Sequence, residues 1–413
     1  MKRRVAITGL GLVSSHGQDP AAAFRAWMNG VSGIHWQSVG DEPHAVRIPS
    51  AVCDSFDPVQ VLGKSRLTTM DRFSQLGSAA AQSAWQDAGL ADLTATDREQ
   101  VAVLWGTGGG GVQTTERSYR DLFVRGRSRI SPLSVVLGMN NAAASHIALQ
   151  LGAGGACLTY SVACASSAVA VGEAMRRVQM GDCAVALAGG AEAAMPYGTV
   201  KAWESLQVLA MPGEQPVEAA CRPFHAERRG LVLGEGAAAL VLEEWEHAKR
   251  RGATIYAELV GYASTCDHSH MTAPNSQGQL RALNLVLQEA QANVEDVSYV
   301  NAHGTATAEG DPTEVQALQA LLGDHAARTM ISSTKSMHGH LLGAAGAIEA
   351  LITALAVYQD AAPPTAHLDL IDPACAGLDH VATVGREHVG MKLALSNSFA
   401  FGGSNAVLAM RPA

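Results

Sequence analysis

Cys164 is the side chain whose surroundings most clearly suggest chemistry. It stands in a run of small residues, Val162–Ala168, between a short apolar segment and a helical one. The pattern predicts that a strand ends there and a helix begins, so the cysteine would lie at a helix N-terminus. The partial positive charge of that terminus favours the thiolate, which is the nucleophilic form of cysteine, and backbone N–H groups in the same turn can bind an oxyanion. The plainer interpretation is a buried cysteine that acts as a small apolar side chain.

Two histidines follow, each in a turn beside glycine. His303 lies in the segment Val300–Thr307, where a predicted strand runs into a glycine turn. His340 lies across a second turn from Lys335, and Glu349 follows nine residues later on a predicted helix rich in small residues. A neutral imidazole can donate a hydrogen bond to a carbonyl oxygen that becomes negative during a reaction. For either histidine, a loop side chain bonded to nearby backbone is the plainer interpretation.

A glycine loop that carries two phenylalanines is the last candidate segment. The segment Ser396–Asn405 contains Phe399, Ala400 and Phe401, followed by two glycines. It predicts a strand that ends in a mobile loop, which would supply a backbone N–H group and a gate. Ordinary turn residues beside core phenylalanines are the alternative.

An α/β fold has to position these segments, because short apolar runs alternate with helical stretches along the chain. Strands are predicted at Val5–Ile7, Val101–Trp105, Leu158–Val162, Ala184–Ala188, Ala237–Leu242, Ile255–Val260, Val297–Val300 and Lys392–Leu395. Helices are predicted at Asp71–Ala88, Ser166–Val178, Leu280–Ala290, Pro312–Leu322 and Leu341–Tyr358. His303 would then lie at the end of a strand, where α/β proteins commonly place ligand sites.

The composition limits the class of protein. The 413 residues, of which 47% are hydrophobic, suffice for a large core and favour two domains or one duplicated unit. A formal net charge of -9 argues against general nucleic-acid binding, which needs a basic surface. The 7 cysteines include no C-x-x-C pair, so we expect free thiols in a reducing cytoplasm rather than disulfides. We find no apolar run long enough to span a bilayer.

A dinucleotide-binding enzyme is one alternative. Gly9–Gly11 follows a predicted strand, and so does the glycine-rich run at 106–111. However, Ser14 replaces the third glycine of the fingerprint, and no acidic residue follows at the required distance. This function is therefore disfavoured.

Metal binding by paired histidines is a second alternative. His268 and His270 form one pair, and His338 and His340 form the other. A zinc site needs three or four convergent ligands, and no cysteine or carboxylate stands at a familiar spacing from either pair. We therefore expect loop histidines and no metal.

Taken in this order, the segments resemble those of the β-ketoacyl-[acyl-carrier-protein] synthases, above all the elongating type II enzymes. The likeness covers essentially the whole chain and includes the motifs Ile7–Gly11, Gly189–Glu192, Arg222–Phe224, Leu233–Gly236, the two histidine segments and the final Phe-Gly-Gly segment. The resemblance implies the thiolase fold, an α/β fold with two duplicated halves in five layers, α-β-α-β-α. We expect residues 1–252 to form the half with the nucleophile, and residues 253–413 to form the half with both histidines and the Phe-Gly-Gly loop.

The resemblance also implies a decarboxylative Claisen condensation. An acyl group on Cys164 would be joined to a malonyl unit carried by an acyl carrier protein, giving a β-ketoacyl product and CO₂. His303 and His340 would bind the malonyl thioester carbonyl. Lys335 would orient these histidines, and Glu349 would be a structural or water-ordering carboxylate.

Further roles follow from the same resemblance. The backbone N–H groups of Cys164 and Phe401 would form the oxyanion hole, and Phe401 would also be the gate. Phe399 would lie beside the substrate. Thr305 and Thr307 would contact the 4'-phosphopantetheine arm, which the carrier supplies, so we expect no bound cofactor.

Three positions depart from the family pattern: His338, which replaces a small polar residue beside His340, and two positions that affect the loop and the acyl pocket. Ala400 stands where glycine is usual, so its Cβ should restrict a loop that needs unusual backbone angles. Gly109 stands where a bulkier apolar residue is usual, so the acyl pocket should be more open and accept longer, bulkier or unsaturated chains. These departures suggest a specialised pathway, such as synthesis of a polyene chain.

The expected partners are an acyl carrier protein and a second copy of the chain, and a heterodimer with a related synthase is an alternative. Neither nucleic acid nor a membrane span is expected. The basic candidates for docking an acidic carrier are Lys64, Arg66, Arg125, Arg127 and Arg129. The alternative function is that of a non-catalytic partner subunit, like a chain-length factor, but such subunits lack the nucleophile that Cys164 provides.

Overall fold

Strands and helices alternate through the residues that the structure describes, which are 2–211 and 213–413 of a computed structural model. The strands are β1 (Val5–Val13), β2 (His35–Val39), β3 (Val46–Ala51), β4 (Ala102–Gly106), β5 (Cys157–Tyr160), β6 (Val185–Glu192), β7 (Leu233–Gly234), β8 (Gly236–Glu244), β9 (Ala257–Cys266), β10 (Val297–Asn301), β11 (Met330–Ser332), β12 (Ala361–Ala362), β13 (Asp379–His380), β14 (Arg386–Glu387), β15 (Leu393–Ala400) and β16 (Ser404–Arg411). The α-helices are α1 (Pro20–Met28), α2 (Pro58–Leu62), α3 (Lys64–Leu67), α4 (Arg72–Asp87), α5 (Ala95–Arg98), α6 (Val112–Tyr119), α7 (Ser134–Gly138), α8 (Ala142–Leu151), α9 (Ser166–Met180), α10 (Tyr197–Ser205), α11 (Trp245–Arg250), α12 (Ser276–Ala290), α13 (Gly310–Leu322), α14 (Lys335–His338) and α15 (Ala345–Gln359).

The main sheet contains two sets of five strands with the same order. The first set runs β5-β4-β6-β8-β1 and the second runs β11-β10-β15-β16-β9. In each set the second strand is parallel to both of its neighbours, and the remaining pairs are antiparallel. The sets join edge to edge where Ala6 and Ile7 of β1 pair with Glu258 and Ala257 of β9. The repeated order confirms the predicted duplication of one α/β unit.

Two central helices complete the layered arrangement. Helix α9 packs on β4 and β6 of the first set and also on β9 and β16 of the second, while α15 packs on both β15 and β8. Helix α4 covers the first set, and α12 covers the second with α13 packed against it. The order helix, sheet, helix, sheet, helix confirms the five predicted layers. A domain boundary near residue 252 stays a prediction.

The apolar character of α15 follows from its central position. The stretch Leu342–Gln359 has the length and hydropathy of a membrane segment, but 89% of it is buried inside the protein. Apolar side chains all around a helix are expected where protein surrounds it on every side. The stretch is therefore explained as a core helix.

The first glycine motif, Gly9–Gly11, lies within strand β1 and does not form the predicted turn. The sequence predicted a strand at Val5–Ile7 and then a glycine turn, but the strand continues to Val13. A Cβ on Gly9 would lie 2.3 Å from the Ala84 carbonyl oxygen, and one on Gly11 would lie 1.9 Å from that of Ala80. These glycines let α4 approach β1 closely, and they do not form a phosphate-binding turn.

Other element boundaries also differ from the predictions. Strand β5 ends at Tyr160 rather than Val162. The predicted helix at Leu341–Tyr358 begins as a 3-10 turn at Leu342–Ala344 and becomes α-helical at Ala345. The sequence interpretation also missed β16, which follows the Phe-Gly-Gly loop and pairs with both β15 and β9.

Candidate active site

Cys164 lies in a tight turn between β5 and α9. Ala163, just before it, has a φ of 46°, a left-handed conformation that costs on the order of 1–2 kcal/mol for a residue with a Cβ. The Ser166 hydroxyl donates to the Ala163 carbonyl at 2.6 Å and accepts from the Val162 N–H at 2.8 Å, which holds the turn. The cysteine is thus fixed two residues before the first residue of α9, close to the predicted helix N-terminus.

Both predicted histidines converge on this cysteine. The Sγ atom of Cys164 lies 3.1 Å from Nε2 of His340. The ring centroids of His303 and His340 are 5.5 Å apart, and the rings are nearly perpendicular at 83°. One side-chain nitrogen of each histidine and the Cys164 sulfur all lie within 4.8 Å of one another. Three segments far apart in sequence therefore meet in one buried cluster.

Glu314 positions the His303 turn, and the sequence analysis did not identify it. Its carboxylate accepts hydrogen bonds from the N–H groups of His303 and Gly304 at 2.9 and 2.8 Å, and from Nδ2 of Asn397 at 2.9 Å. Asn397 belongs to β15, so this carboxylate ties the histidine turn to the strand before the Phe-Gly-Gly loop. The available signal in the sequence was an acidic residue near the start of the predicted helix Pro312–Leu322, shortly after the histidine.

Lys335 and Glu349 form a buried ion pair. The Nζ atom of Lys335 donates to the Glu349 carboxylate, and both side chains are fully buried. Burial raises the pKa of Glu349 to about 7, although the nearby Lys335 ammonium opposes that shift. Breaking such a pair by removing one partner typically costs about 3–5 kcal/mol, because the other charge is left buried.

Both histidines are electrically neutral near pH 7. Burial lowers the pKa of His303 well below its usual value, and the Lys335 ammonium and His340 lower it further. Burial, Lys335 and His338 have the same effect on the pKa of His340. Each ring therefore keeps one N–H, which can donate to a developing negative charge.

The thiol of Cys164 differs from the prediction. Burial raises the pKa of Cys164 to about 12, although the Lys335 ammonium opposes the shift. The sequence predicted that the helix N-terminus would stabilise the thiolate, but loss of solvation outweighs that effect in this conformation. The thiol is therefore protonated near pH 7, and the adjacent Nε2 of His340 is the group placed to accept its proton.

Glu192 fills the glycine-rich loop that follows β4. Its carboxylate accepts from the N–H groups of Gly108 at 2.6 Å, Gly109 at 3.2 Å and Gly343 at 3.1 Å. Burial raises the pKa of Glu192 to about 7, and these hydrogen bonds oppose that rise. The amides that suggested a phosphate loop already bind this carboxylate, which also ties the loop to the segment that follows His340.

The cluster opens into a cavity of about 470 Å³. Phe401 lies at its wall, 36% exposed, with its ring stacked on Trp203 at a centroid distance of 5.9 Å. The cavity brings together eight of the residues that the sequence selected: Cys164, His303, Thr305, Thr307, His340, Phe399, Ala400 and Phe401. Its size falls within the range of typical ligand sites.

Ala400 does not have the backbone conformation that the sequence interpretation assumed. It is the last residue of β15, in extended backbone and paired with Ser404. The left-handed conformations of this loop belong instead to Gly402 and Gly403, with φ of 86° and 74°. A Cβ at position 400 is therefore unstrained in this conformation.

Gly109 lies outside the residues that line the cavity. A Cβ there would lie 3.0 Å from Cγ1 of Val112 and 3.5 Å from Oε1 of Glu192. In this conformation the lack of a side chain at position 109 therefore leaves room for the side chains of Glu192 and Val112. The predicted effect on acyl-chain length stays a prediction.

The predicted docking residues are exposed, but two of the five form ion pairs with an acidic residue of the same chain. Lys64 and Arg66 lie on the short helix α3, and Arg129 is also exposed. Arg125 and Arg127 both pair with Asp121, at 2.8 and 3.2 Å. None of the five lines the cavity that holds Cys164.

The histidine pair at 268 and 270 forms a turn. Nδ1 of His270 accepts from the N–H groups of Thr272 and Ala273 at 3.1 and 3.0 Å. That bonding occupies one of the two ring nitrogens of His270 and holds the side chain within the turn. The local structure therefore fits a loop histidine.

Comparison with protein families matches two models across most of the chain. The model described as "Beta-ketoacyl synthase, N-terminal domain" matches residues 2–248, and "Beta-ketoacyl synthase, C-terminal domain" matches residues 256–369. A "3-oxoacyl-[acyl-carrier-protein] synthase 2" of Synechocystis sp. is 40% identical over 415 residues, which cover 99% of this chain and 98% of the relative.

Solved structures agree with the sequence relatives. AntDE:AntF, described as a type II PKS acyl-carrier protein in complex with its ketosynthase bound to the hexaketide, aligns with a TM-score of 0.90 and 31% identity over 100% of both chains. The ishigamide ketosynthase/chain length factor aligns with a TM-score of 0.91 and 31% identity, again over 100% of both chains.

Proposed function

Because the chain belongs to the β-ketoacyl synthase family, we propose that it catalyses the decarboxylative condensation of an acyl group on Cys164 with a malonyl thioester. The observation that carries this proposal is the 3.1 Å approach of the Cys164 sulfur to the His340 ring, beside a second neutral histidine. The products are a β-ketoacyl thioester and CO₂.

The first half-reaction is acyl transfer to sulfur. As the Cys164 thiol attacks the incoming thioester, its proton passes to Nε2 of His340 and then to the departing pantetheine sulfur. A new C–S bond forms at Cys164 and the carrier's C–S bond breaks. Backbone N–H groups of Cys164 and Phe401 stabilise the oxyanion in this proposal, and both residues line the cavity.

The second half-reaction creates and uses a carbanion. The malonyl carboxylate leaves as CO₂, and its bonding electrons become an enolate. The enolate accepts a hydrogen bond from His303 and, once the neutral His340 ring has changed to its Nε2–H tautomer, a second one from His340. The carbanion then forms a C–C bond with the acyl carbon, the C–S bond to Cys164 breaks, and the released thiolate takes up a proton from solvent, which restores the thiol. Neutral imidazoles suit this step because they can donate to the enolate while their own protons are retained.

Supporting roles fall to residues around the cluster. Burial and, after it, the charge of Lys335 lower the pKa values of both imidazoles and keep them neutral, and Glu349 compensates the Lys335 charge inside the core. Thr305 and Thr307, whose hydroxyls are 3.1 Å apart at the cavity wall, are proposed to contact the phosphopantetheine arm. Phe401 is proposed as the gate, because its ring is partly exposed and stacks on a single aromatic neighbour.

The proposed substrate carrier is an acyl carrier protein, which supplies 4'-phosphopantetheine. Lys64, Arg66 and Arg129 are the proposed docking cations, since no carboxylate oxygen of the described residues lies within 4.0 Å of their charged nitrogen atoms. Arg125 and Arg127 are weaker candidates because both are bound to Asp121. Arg229, which was not among the predicted docking residues, is an exposed cation that lines the cavity itself.

A homodimer in the cytoplasm is the proposed physiological form. Strand β5 ends the main sheet and exposes Cys157 and Leu158, so its free edge can pair with a second copy. All 7 cysteines are free, which supports a reducing compartment. A related synthase at the same edge would give the heterodimer. A purely non-catalytic partner role is disfavoured, because Cys164 and both histidines are assembled.

Replacement of Cys164 tests the proposed reaction. We expect Cys164→Ala to form no acyl adduct with a panel of acyl-carriers and to lose condensation by at least roughly a thousandfold, because the nucleophile is absent. Malonyl decarboxylation should continue, since both histidines remain. Intact-mass analysis and detection of CO₂ are the measurements.

The exposed Cys266 provides the matched control, because it lies outside the cavity lining. Cys266→Ala should be acylated and condense as wild type does. An acyl adduct on the Cys164→Ala protein at another residue, or wild type that never acquires an acyl group, would contradict the proposal.

A further inference from the structure

Gln279 is a buried polar side chain in the wall of the cavity that has no assigned role. It lies on α12, is 2% exposed, and lines the same cavity as Cys164 and His303. Among the described residues, no donor reaches its Oε1 atom. A buried amide oxygen without a partner is uncommon in proteins, and such groups usually face something that hydrogen-bonds to them. The position of Gln279 therefore suggests a ligand.

Three charged residues that line the same cavity as Gln279 already have partners. Oδ1 of Asp267 accepts from Nδ2 of Asn405 at 2.7 Å, and Asp267 packs directly against the start of α12 at Gly278. The Glu314 carboxylate accepts three hydrogen bonds, as described above. Arg228 donates to the Thr307 and Ala308 carbonyls and to Asp372.

The remaining charged wall residues are Arg229 and Glu309, which carry opposite charges, and both are exposed. Apart from Nδ1 of His303 and of His340, the buried polar atom of the cavity wall that lacks a partner among the described residues is Oε1 of Gln279, which belongs to a neutral primary amide. Such an amide both donates and accepts, so it matches another amide better than it matches an anion or a cation.

We propose that Gln279 is a subsite for an amide of the pantetheine arm. This inference rests on the proposed function, in which that arm carries the thioester to Cys164. Pantetheine contains two secondary amides, each with one N–H and one carbonyl, and the Gln279 side chain can pair with either. Thr305 and Thr307 offer hydroxyls from the turn after β10, whereas Gln279 supplies an amide from α12, so the arm is held from a second element.

Thioesters that differ in their amides test this subsite. The measured quantity is the rate of Cys164 acylation, read by intact mass, with hexanoyl-pantetheine, hexanoyl-N-acetylcysteamine and S-ethyl hexanethioate. These compounds carry two amides, one amide and none. With hexanoyl-pantetheine, we expect Cys164 of the Gln279→Leu variant to be acylated about 10-fold more slowly than in wild type. With S-ethyl hexanethioate, the amide-free thioester, we expect the wild-type rate.

The rate with hexanoyl-N-acetylcysteamine shows which of the two pantetheine amides Gln279 binds. A slower rate with it would mean that Gln279 binds the amide nearest the sulfur, and an unchanged rate would assign the amide farther away. Either result supports the subsite. Equal rates of Gln279→Leu and wild type with hexanoyl-pantetheine would overturn it, and so would an equal loss with the amide-free ester.

The Tm of Gln279→Leu and a control substitution at a second glutamine distinguish an effect on ligand binding from an effect on folding. Because Gln279 Oε1 makes no hydrogen bond within the described protein, Gln279→Leu should have a Tm no lower than wild type, and a lower Tm would indicate a structural role. Gln288→Leu, an exposed position on the same helix, should acylate as wild type does with all three compounds. Wild type that is acylated by none of them would contradict the proposed function rather than the subsite alone.

Discussion

At Cys164 two electrostatic effects compete, and their magnitudes decide the protonation state. The N-terminus of a helix stabilises a nearby anion by up to ~2 kcal/mol. A shift of the Cys164 pKa from 9.0 to about 12 corresponds to about 4 kcal/mol against the thiolate. Burial therefore wins in the resting site, and ionisation of the thiol has to be coupled to its attack through His340.

This balance predicts the pH dependence of Cys164 alkylation. Only the thiolate reacts with the alkylating reagent. Because the pKa of Cys164 is raised, the fraction of Cys164 present as thiolate continues to increase with pH well into the alkaline range. We expect iodoacetamide to alkylate Cys164 roughly tenfold faster per pH unit between about pH 7 and pH 9.5, without a plateau. The measurement is peptide mass mapping, which separates Cys164 from the exposed Cys157 and Cys266. A rate that levels off by about pH 8 would show that the thiolate is stabilised after all.

At the scale of elements, close packing of glycine-containing strands against helices places the site. Gly9 and Gly11 let α4 approach β1, while Gly106 lets the start of α9 approach β4, where a Cβ would lie 2.3 Å from the Ser167 nitrogen. That second contact is next to the nucleophile turn. The small side chains in these motifs therefore set helix-to-sheet distances, and the reactive turn depends on them.

Substitution of Gly11 tests this packing. We expect Gly11→Ala to lower the free energy of unfolding by about 3 kcal/mol or more, because its Cβ would meet the Ala80 carbonyl oxygen at 1.9 Å. Urea denaturation is the measurement. Ala80→Gly should not rescue the variant, since the clash is with backbone.

Gly252 offers the comparison for this variant. It has a φ of 69° and open space around it, so Gly252→Ala should cost only about 1–2 kcal/mol of conformational strain. If Gly11→Ala were no less stable than Gly252→Ala, the close approach of α4 would not be important.

At the scale of the whole molecule, the main sheet ends in an open edge. Strand β5 pairs with β4 on one side, and β5 is the last strand of the sheet. Leu158 on this strand is 39% exposed, and Leu149 on the adjoining helix α8 is 80% exposed. An unprotected edge with apolar neighbours is a surface that proteins commonly cover by pairing with another chain. Two copies related by a twofold axis would pair their β5 strands antiparallel.

Leu158→Lys tests the proposed dimer. A charge on each copy at the twofold edge should weaken association at least about tenfold, so that micromolar protein sediments as a monomer. Analytical ultracentrifugation is the measurement, and circular dichroism checks that the variant is folded. Leu285→Lys, at an exposed leucine on α12 in the outer layer, is the control and should remain a dimer.

Two results would contradict this prediction. An unchanged dimer with Leu158→Lys would move the interface away from β5. A wild-type monomer at micromolar concentration would exclude the homodimer and favour a related synthase as the partner.

The sequence by itself determined the reactive groups and the class of fold. Cys164 and His303 each stand between a strand-like run and small residues, and His340 stands between a turn and a helix of small residues. Those local patterns depend on chain neighbours alone. Alternating strands and helices likewise follow from hydrophobic periodicity, which is a local property. The family resemblance added the order of these segments and the duplicated halves.

The tertiary structure alone decided the electrostatics and the second set of site residues. The raised pKa of Cys164 and the lowered pKa values of both histidines arise from burial, which no local pattern reports. Glu192 and Glu314 became site residues because distant backbone amides converge on their carboxylates. Gln279 became a candidate because folding leaves its Oε1 atom buried without a partner in the wall of the cavity that holds Cys164. Solvation and long-range contacts depend on the packing of the entire chain, so these features emerge only once it has folded.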